Sequence, residues 1–133
     1  MDVPPASLPS QIKATASNVY QKEEEYAAES AFDDDLHTRW ATDGGTKQAW
    51  VALEFPGPRR IGTVRISEAF APRVQKFEFQ YRDGSDWQTL FAGTDLGANF
   101  KRTFEPVTAR AVRLNILEAT EGPTIWEIKI SER

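Results

Sequence analysis

The sequence predicts an all-β fold, an eight-stranded antiparallel β-sandwich of the jelly-roll type. Short segments in which apolar and polar residues alternate recur along the chain, and clusters of Gly, Pro and Asp separate them about every ten residues. No segment sustains the 3.6-residue periodicity of an amphipathic helix. With 133 residues, the chain has room for one domain that can bury its own core.

The first part of the chain is expected to be a tail, a strand and loops. Residues 1–10 hold three prolines and two serines without periodicity, which predicts a linker or disordered tail before a domain over 11–133. A short strand is predicted over 11–17, where apolar and polar residues alternate. A helical turn over 27–32 and a turn-rich loop over 40–46 are expected to flank an acidic segment.

The rest of the chain predicts strands and turns. Pro56-Gly57-Pro58 is expected to end one strand, and Asp83-Gly84-Ser85-Asp86 predicts a hairpin turn. Alternation places one face of each strand in the core, as with Phe77 and Phe79. The predicted strands cover residues 49–55, 61–67, 74–81, 87–91, 100–104, 109–117 and 125–131.

Composition excludes several classes of partner. The chain has 16 Lys and Arg against 20 Asp and Glu, a net charge of −4, and its basic clusters are limited to Arg59-Arg60 and Lys101-Arg102. Nucleic acid is therefore not an expected partner. No cysteine is present, so disulfides and zinc–thiolate sites are excluded. No apolar run approaches the roughly 20 residues of a membrane span, and membrane insertion is not expected.

The sequence favours a binding module over an enzyme. The single histidine, His37, excludes a multi-histidine metal site, and neither a G-x-S-x-G elbow nor a Gly-rich phosphate loop is present. A glycosidase with paired carboxylates is not excluded by counting, since acids are plentiful. However, they cluster in one loop and are not spread over facing strands. The start of the chain lacks the features of a signal peptide and is expected to be that of an excised domain.

The acidic segment Ser30 to Trp40, with three consecutive aspartates, allows three interpretations. A solvated acidic face is the simplest, but Ala31, Phe32 and Trp40 tie the loop to a core. An EF-hand fails, because Thr38 stands where that loop needs its glycine and no helices flank it. The third is a compact calcium loop, in which carboxylates, carbonyls and hydroxyls supply the six to eight oxygens that calcium takes.

Four motifs in order resemble one family over nearly the whole chain. Residues 31–40, AFDDDLHTRW, are similar to the A-x-D-G-D-x-x-T-x-W motif of the coagulation factor 5/8 type C (discoidin) superfamily, whose bacterial branch is carbohydrate-binding module family 32. The strands WVALEF at 50–55, AVRLNI at 111–116 and WEI at 126–128 fit the motifs that follow. The resemblance implies a galactose-binding-domain-like sandwich that binds carbohydrate without catalysis.

The resemblance also implies a structural calcium site. Its ligands, carried over by position, are the side chains of Asp33, Thr38 and Glu127 and the carbonyls of Ser30, Asp35 and Trp126. Asp34 replaces the usual glycine of the motif. If that position needs a positive φ, aspartate tolerates it better than most residues. Such a site would clamp the two ends of the domain together and serve stability.

The closing segment, residues 113–119 and 123–127, together with residues 66–68 and 73–77, is similar to the type C domains attached to bacterial α-L-fucosidases of glycoside hydrolase family 29. The resemblance therefore implies an ancillary domain of such an enzyme, with the catalytic domain and a glycan or its terminal monosaccharide, galactose or fucose in type, as partners. It also implies a secreted, periplasmic or cell-surface location in a bacterium.

The family's galactose site is incomplete in this sequence. Its histidine position holds Ala41, its arginine corresponds to Arg73, and no asparagine follows. We expect a variant site on the loops at one end of the sandwich, formed by Tyr26, Asp43, Glu68, Phe70, Arg73, Glu118 and Glu121.

Two alternatives stay open at this point. Arg73 could simply pair with Glu68 while Phe70 packs under the loop. In that case the domain could bind no free sugar and instead dock on its catalytic neighbour, with Glu68 and the Gly122-Pro123 loop in the interface.

Overall fold

A computed structural model describes residues 13–132 of the chain. The expected linker over 1–10 and the first two residues of the expected domain lie outside the described residues. The strands are β1 (Lys13–Ala16), β2 (Trp40–Ala41), β3 (Ala49–Glu68), β4 (Val74–Arg82), β5 (Gln88–Gly93), β6 (Phe100–Ala119) and β7 (Thr124–Ser131). Short 3₁₀ turns cover Tyr20–Lys22, Glu24–Tyr26 and Ala28–Ala31, the last within the predicted helical turn.

The all-β class is confirmed, but two long strands replace four of the predicted short ones. β3 continues through Pro56-Gly57-Pro58, and its register with β6 shifts between Glu54 and Arg59. Proline cannot donate to a ladder but keeps an extended φ, so at a bulge it interrupts pairing without ending the strand. β6 likewise merges the segments predicted at 100–104 and 109–117. β2 forms where only a loop was expected, which gives seven strands within residues 13–132.

The long strands each take part in two layers. The first half of β3 pairs with β1 and with the second half of β6, which also pairs with β4, and β4 pairs with β5. The second half of β3 pairs with the first half of β6 and with β7, which pairs with β2. Every pairing is antiparallel. β3 and β6 therefore connect the two layers of a sandwich.

Apolar side chains from both layers fill the space between them. Rings of the first layer contact rings of the second, as in Phe77 with Phe100 at 5.6 Å and Phe91 with Phe104 at 6.1 Å between centroids. The predicted inward positions of β3, β4 and β6 are buried, and Trp40 is fully buried behind the acidic loop. Within residues 13–132, no helix has the length and apolar character needed to cross a membrane.

Pairing brings three connections to one end of the sandwich. Glu68 at the end of β3 lies opposite Ile125 at the start of β7, and Val74 at the start of β4 lies opposite Ala119 at the end of β6. β2 joins them through Trp40, which also lies opposite Ile125. The β3–β4 loop, the β6–β7 loop and the segment around β2 therefore form one surface.

Candidate functional site

An oxygen cluster lies in the acidic loop, around the hydroxyl of Thr38. Its Oγ1 lies within hydrogen-bond distance of Asp33 Oδ2, 3.1 Å from the carbonyl oxygen of Asp35 and 3.5 Å from that of Ser30. A hydroxyl carries one proton and can satisfy only one of these three acceptors. The cluster therefore holds more oxygen acceptors than it has protons to share among them.

Glu127 of β7 adds a buried carboxylate to this cluster. It is 8% exposed, its Oε2 accepts the Asp34 N–H at 3.2 Å, and its Oε1 is buried without a hydrogen-bond partner among the described residues. Burial raises the pKa of Glu127 to about 8, the Asp34 N–H opposes this rise, and the charges of Asp33 and Asp34 add to it. Among residues 13–132, no Lys, Arg or His nitrogen lies within 4.0 Å of this carboxylate.

Two aspartates beside the cluster direct their side chains elsewhere. Asp35 Oδ1 accepts the backbone N–H of His37 at 2.8 Å, so Asp35 offers the cluster its carbonyl. Asp34 has φ of 60°, in the left-handed region that the glycine of the motif would occupy without strain. Its carboxylate instead pairs with Lys129 Nζ at 2.7 Å on the surface.

Trp126 stands at a β-bulge next to this cluster. Glu127 lies opposite Ser67 and Ile125 opposite Glu68, so Trp126 has no partner on β3. The bulge explains why Ile125 and Ile128, three residues apart, are both buried. The same bulge leaves Glu127 buried next to the oxygen cluster.

The donors suit a hard cation. No group of three or more His, Cys, Asp or Glu side chains in residues 13–132 is placed to hold a metal. An ion here would therefore rely on carbonyl and hydroxyl oxygens besides the carboxylates of Asp33 and Glu127. An all-oxygen set with an unpartnered buried carboxylate oxygen fits calcium and does not fit a metal that prefers nitrogen or sulfur.

A shallow depression of about 260 Å³ lies on the loop surface at the end of the sandwich. Three of the predicted sugar-site residues, Phe70, Arg73 and Glu121, line it. So does Ala41, at the position of the family's galactose-binding histidine. Its other lining residues are Tyr20, Arg39, Thr42, Gly44, Gly122 and Thr124.

An exposed aromatic ring lies close to two arginines at this depression. Phe70 is 58% exposed, with φ of 56°, and its ring lies 5.0 Å from the guanidinium carbon of Arg39 and 5.3 Å from that of Arg73. Arg39 also lies against the rings of Tyr26 at 4.9 Å and Trp126 at 5.9 Å. Cation–π contacts of this kind fix the orientation of the guanidinium groups beside the ring.

Hydrogen bonds hold both guanidinium groups against the β6–β7 loop and β7. Arg73 Nη1 donates to the carbonyl of Gly122 at 2.8 Å, and its Nη2 lies 4.0 Å from a Glu121 carboxylate oxygen. Arg39 Nη1 donates to Thr124 Oγ1 at 2.9 Å, and Thr124 Oγ1 in turn donates to the Trp40 carbonyl at 2.7 Å. Donors of both arginines remain for a ligand.

Two predicted residues serve the fold instead of the depression. Glu68 is 2% exposed, and its carboxylate accepts the N–H groups of Arg73, Val74 and Gly97 at 3.1, 2.8 and 3.2 Å. Glu68 therefore fixes the conformation of the β3–β4 loop from inside the protein. The Asp43 carboxylate accepts the Gln21 N–H at 2.7 Å and the Asn18 amide at 3.2 Å, so it braces the neighbouring loop.

Two further residues predicted for the sugar site do not line the depression: Tyr26 lies beside it, and Glu118 lies away from it. Tyr26 supports Arg39 from the side and packs edge-on against Tyr20 at 5.5 Å. Glu118 lies beside a different depression, together with Lys47 and Gln75. The alternative arrangement, in which the Arg73 side chain pairs with Glu68 while Phe70 packs under the loop, is not what the structure has. The guanidinium group turns to Glu121 and Gly122, and the ring faces solvent.

Sequence reasoning missed Tyr20, Arg39 and Thr124. Arg39 belongs to the acidic segment that the sequence singled out, but nothing in that segment indicates that its side chain reaches the loop surface. Tyr20 and Thr124 reach the depression only through the path of the loops, which local patterning does not encode.

Known proteins resemble this chain in sequence and in fold. The model of the F5/8 type C domain family matches residues 11–129. No curated protein matches the chain in sequence. A pectin-binding carbohydrate-binding module is 30% identical, with a TM-score of 0.75, and the match covers 90% of this chain and 88% of that chain.

Two further structures are 25% identical to this chain. A mutant of chitosan-binding module 1 from a chitosanase/glucanase of Paenibacillus sp. IK-5 has a TM-score of 0.81, and the match covers 89% of this chain and 92% of that chain. A GH29 fucosidase of Ruminococcus gnavus in complex with fucose has a TM-score of 0.84, covering 93% of this chain but 26% of that chain. The match in sequence over residues 11–129 and the shared sandwich agree, and the chain belongs to the F5/8 type C domain family.

Proposed function

We propose that this domain is a non-catalytic carbohydrate-binding module that holds a terminal sugar of galactose or fucose type beside Phe70. The observation that carries the proposal is the exposed Phe70 ring with the guanidinium groups of Arg39 and Arg73 about 5 Å from its centroid. An exposed ring offers a flat apolar surface for the apolar face of a sugar, and guanidinium donors suit its vicinal hydroxyls. A buried carboxylate, Glu68, shapes the loop that presents both Phe70 and Arg73.

The relatives support a carbohydrate ligand. One neighbour is described as pectin-binding, another as chitosan-binding, and a third is a fucosidase in complex with fucose. Because the chain spans about a quarter of that fucosidase, we propose as a further step that it is an ancillary domain of a glycoside hydrolase whose substrates lie outside the cell.

A structural calcium ion forms part of the proposal. Asp33, Thr38 and Glu127 would hold it by side chain, and Ser30, Asp35 and Trp126 by carbonyl. The surplus of acceptors around Thr38 and the unpartnered Glu127 Oε1 support this assignment. The ion would neutralise the buried carboxylates and join the acidic loop to β7.

The test of sugar binding is calorimetric titration of the domain with galactose and fucose, together with a glycan array. A single exposed site of this kind is expected to bind near the millimolar range, about 4 kcal/mol. Replacing Phe70 by Ala removes the stacking surface and should weaken binding by at least about fivefold, equivalent to ~1 kcal/mol.

Leu36→Ala is the matched control, since Leu36 is an exposed apolar residue, at 64%, that does not line the depression. Equal binding by the two variants would contradict the assignment of the site. A wild-type domain that binds neither galactose nor fucose nor any glycan on the array would contradict the proposed carbohydrate binding. That result would favour a domain that docks on a catalytic neighbour.

A further inference from the structure

A second depression, of about 210 Å³, lies on the sandwich face of the first layer, away from the loop surface. The residues that line it come from β1, β3, β6, the end of β4 and the turn before β5. They are Thr15, Trp50, Ala52, Glu54, Arg82, Trp87 and Arg113. The proposed calcium and sugar sites use none of them.

Strand register explains why these side chains meet. Arg113 of β6 lies between Ala52 of β3 and Gln80 of β4. Two residues earlier on β6, Ala111 lies between Glu54 of β3 and Arg82 of β4 in the same way. Residues opposite each other on paired strands share a face, so these side chains point away from the core. Ala52, a short side chain among longer neighbours, lines the depression.

Arg113 is a cation without a carboxylate partner within the described part of the chain. Its Nε and Nη2 both donate to Gln80 Oε1, at 2.9 and 2.6 Å, and no carboxylate oxygen of residues 13–132 lies within 4.0 Å. Arg82 differs, because its Nη2 lies 2.8 Å from a Glu54 carboxylate oxygen. The lining therefore carries two positive charges and one negative charge, in a chain of net charge −4.

The lowered pKa of Arg113 agrees with the excess of positive charge at the depression. Burial lowers the pKa of the Arg113 guanidinium, the charge of Arg82 lowers it further, and Glu78 opposes both without forming an ion pair. The positive charge is thus only partly compensated by its surroundings.

An indole ring holds both guanidinium groups in place. The guanidinium carbons of Arg113 and Arg82 lie 4.4 and 4.6 Å from the ring centroid of Trp87. Trp87 and Trp50 are both partly exposed at the depression. A planar fork held against an aromatic ring is suited to bidentate binding of a carboxylate, and partly exposed indoles offer apolar area to a sugar ring.

We propose that this depression is a second ligand site, which binds an acidic sugar residue, such as a uronic acid within a polysaccharide, by its carboxylate. Arg113 pairs with the carboxylate, Trp87 supports the arginine and contacts the sugar ring, and Arg82 with Glu54 bonds hydroxyls. The volume is below the roughly 300 Å³ of a drug-sized pocket, which suits one residue of a longer chain.

The test uses the full chain carrying Phe70→Ala, so that the contribution of the first sugar site is reduced. Titration with tetragalacturonate, and with the neutral galactose tetramer as its matched ligand, should show binding of the acidic oligomer alone. Raising the salt concentration should weaken that binding. Adding Arg113→Gln should reduce the affinity about tenfold or more, since a charge-assisted bidentate pair is lost.

Arg60→Gln is the control for charge, because it also removes one positive charge and Arg60 does not line the depression. Trp87→Ala is the second variant, since it leaves Arg113 and the core in place, and it should also weaken binding. Thermal melts establish that each variant is folded.

Three results would overturn the proposal. One is the absence of tetragalacturonate binding in the Phe70→Ala chain. Another is equal affinity in the Arg113→Gln and Arg60→Gln variants. The third is equally tight binding of an oligoglutamate peptide, which would show that any carboxylate suffices. None of these depends on whether the site at Phe70 binds a neutral sugar.

Discussion

The carboxyl group of Glu127 is buried and has a raised pKa, which its position in the sequence does not indicate. The residue follows Trp126 in an apolar strand, and the β-bulge turns it inward against Asp33 and the Asp34 N–H. Burial without a positive partner raises its pKa to about 8. At neutral pH the metal-free domain therefore holds much of this group in the protonated form.

This raised pKa predicts how stability depends on pH in the absence of calcium. The ordinary value is 4.5 and the folded value is about 8, so the folded state binds the proton more tightly. The stabilisation is complete below pH 4.5 and is lost as the pH rises through about 8. With a chelator present, the melting temperature should therefore fall from about pH 5 to about pH 8 more steeply than in Glu127→Gln, which cannot titrate. An identical slope in the two proteins would contradict the assignment.

At the scale of elements, the β6–β7 loop is pressed against the segment that follows β2. Thr42 Oγ1 donates to the Pro123 carbonyl at 2.7 Å, and Gly122 is buried in this contact. A Cβ at Gly122 would lie 2.5 Å from the Asp43 carbonyl oxygen and 2.9 Å from Thr42 Oγ1. Only glycine allows this approach, which also places the Gly122 carbonyl under Arg73.

We therefore expect Gly122→Ala to separate the two loops. The overlap should destabilise the domain by about 1–3 kcal/mol, measured by urea unfolding, and should weaken sugar binding because Arg73 loses its anchor. Gly84→Ala is the matched control, since a Cβ at Gly84 meets nothing within 4 Å. A Gly122→Ala protein as stable as this control would show that the loop contact can relax at no cost.

The length of the strands is a further feature decided at this scale. Pro56-Gly57-Pro58 predicted the end of a strand because proline lacks a ladder donor, yet β3 passes through it with a shift in register. The bulge places the two halves of β3 in different layers. Sequence patterning locates the interruption but does not show whether the chain turns back or continues into a second sheet.

At the scale of the whole molecule, the oxygen cluster joins residues far apart in sequence. The acidic loop precedes β2, while Trp126 and Glu127 belong to β7, the last strand. A cation bound between them would link the start of the domain to its end, and would bind the folded chain far better than the unfolded one.

Removal of calcium should accordingly lower the melting temperature by several degrees. Differential scanning calorimetry with EDTA and with excess calcium measures the shift, and magnesium serves as a control ion because it fits an irregular carbonyl-rich site poorly. Asp33→Asn should abolish the calcium-dependent part of the shift. A melting temperature that calcium and EDTA leave unchanged would contradict the calcium assignment while leaving the proposed sugar site intact.

The candidate sugar site could be predicted only in part. Phe70, Arg73 and Glu121 were found because exposed aromatic and charged residues in loops at one end of a sandwich suggest a binding surface. Glu68 was assigned to the same surface, but three backbone N–H groups bind it inside the protein. A loop sequence indicates polarity, but not which polar residues its own backbone uses.

Sequence patterning is sufficient to predict the fold class, the family and the Trp40 anchor behind the acidic loop. These depend on alternation within strands and on a motif of fixed spacing, and both are local properties of the chain. Only the tertiary structure brings Arg39 to Phe70, raises the pKa of Glu127 by burial, and leaves Arg113 without a carboxylate partner among the described residues of the sheet face. Each of these depends on burial and on contacts between strands and loops distant in sequence, which only the folded chain brings within a few ångströms.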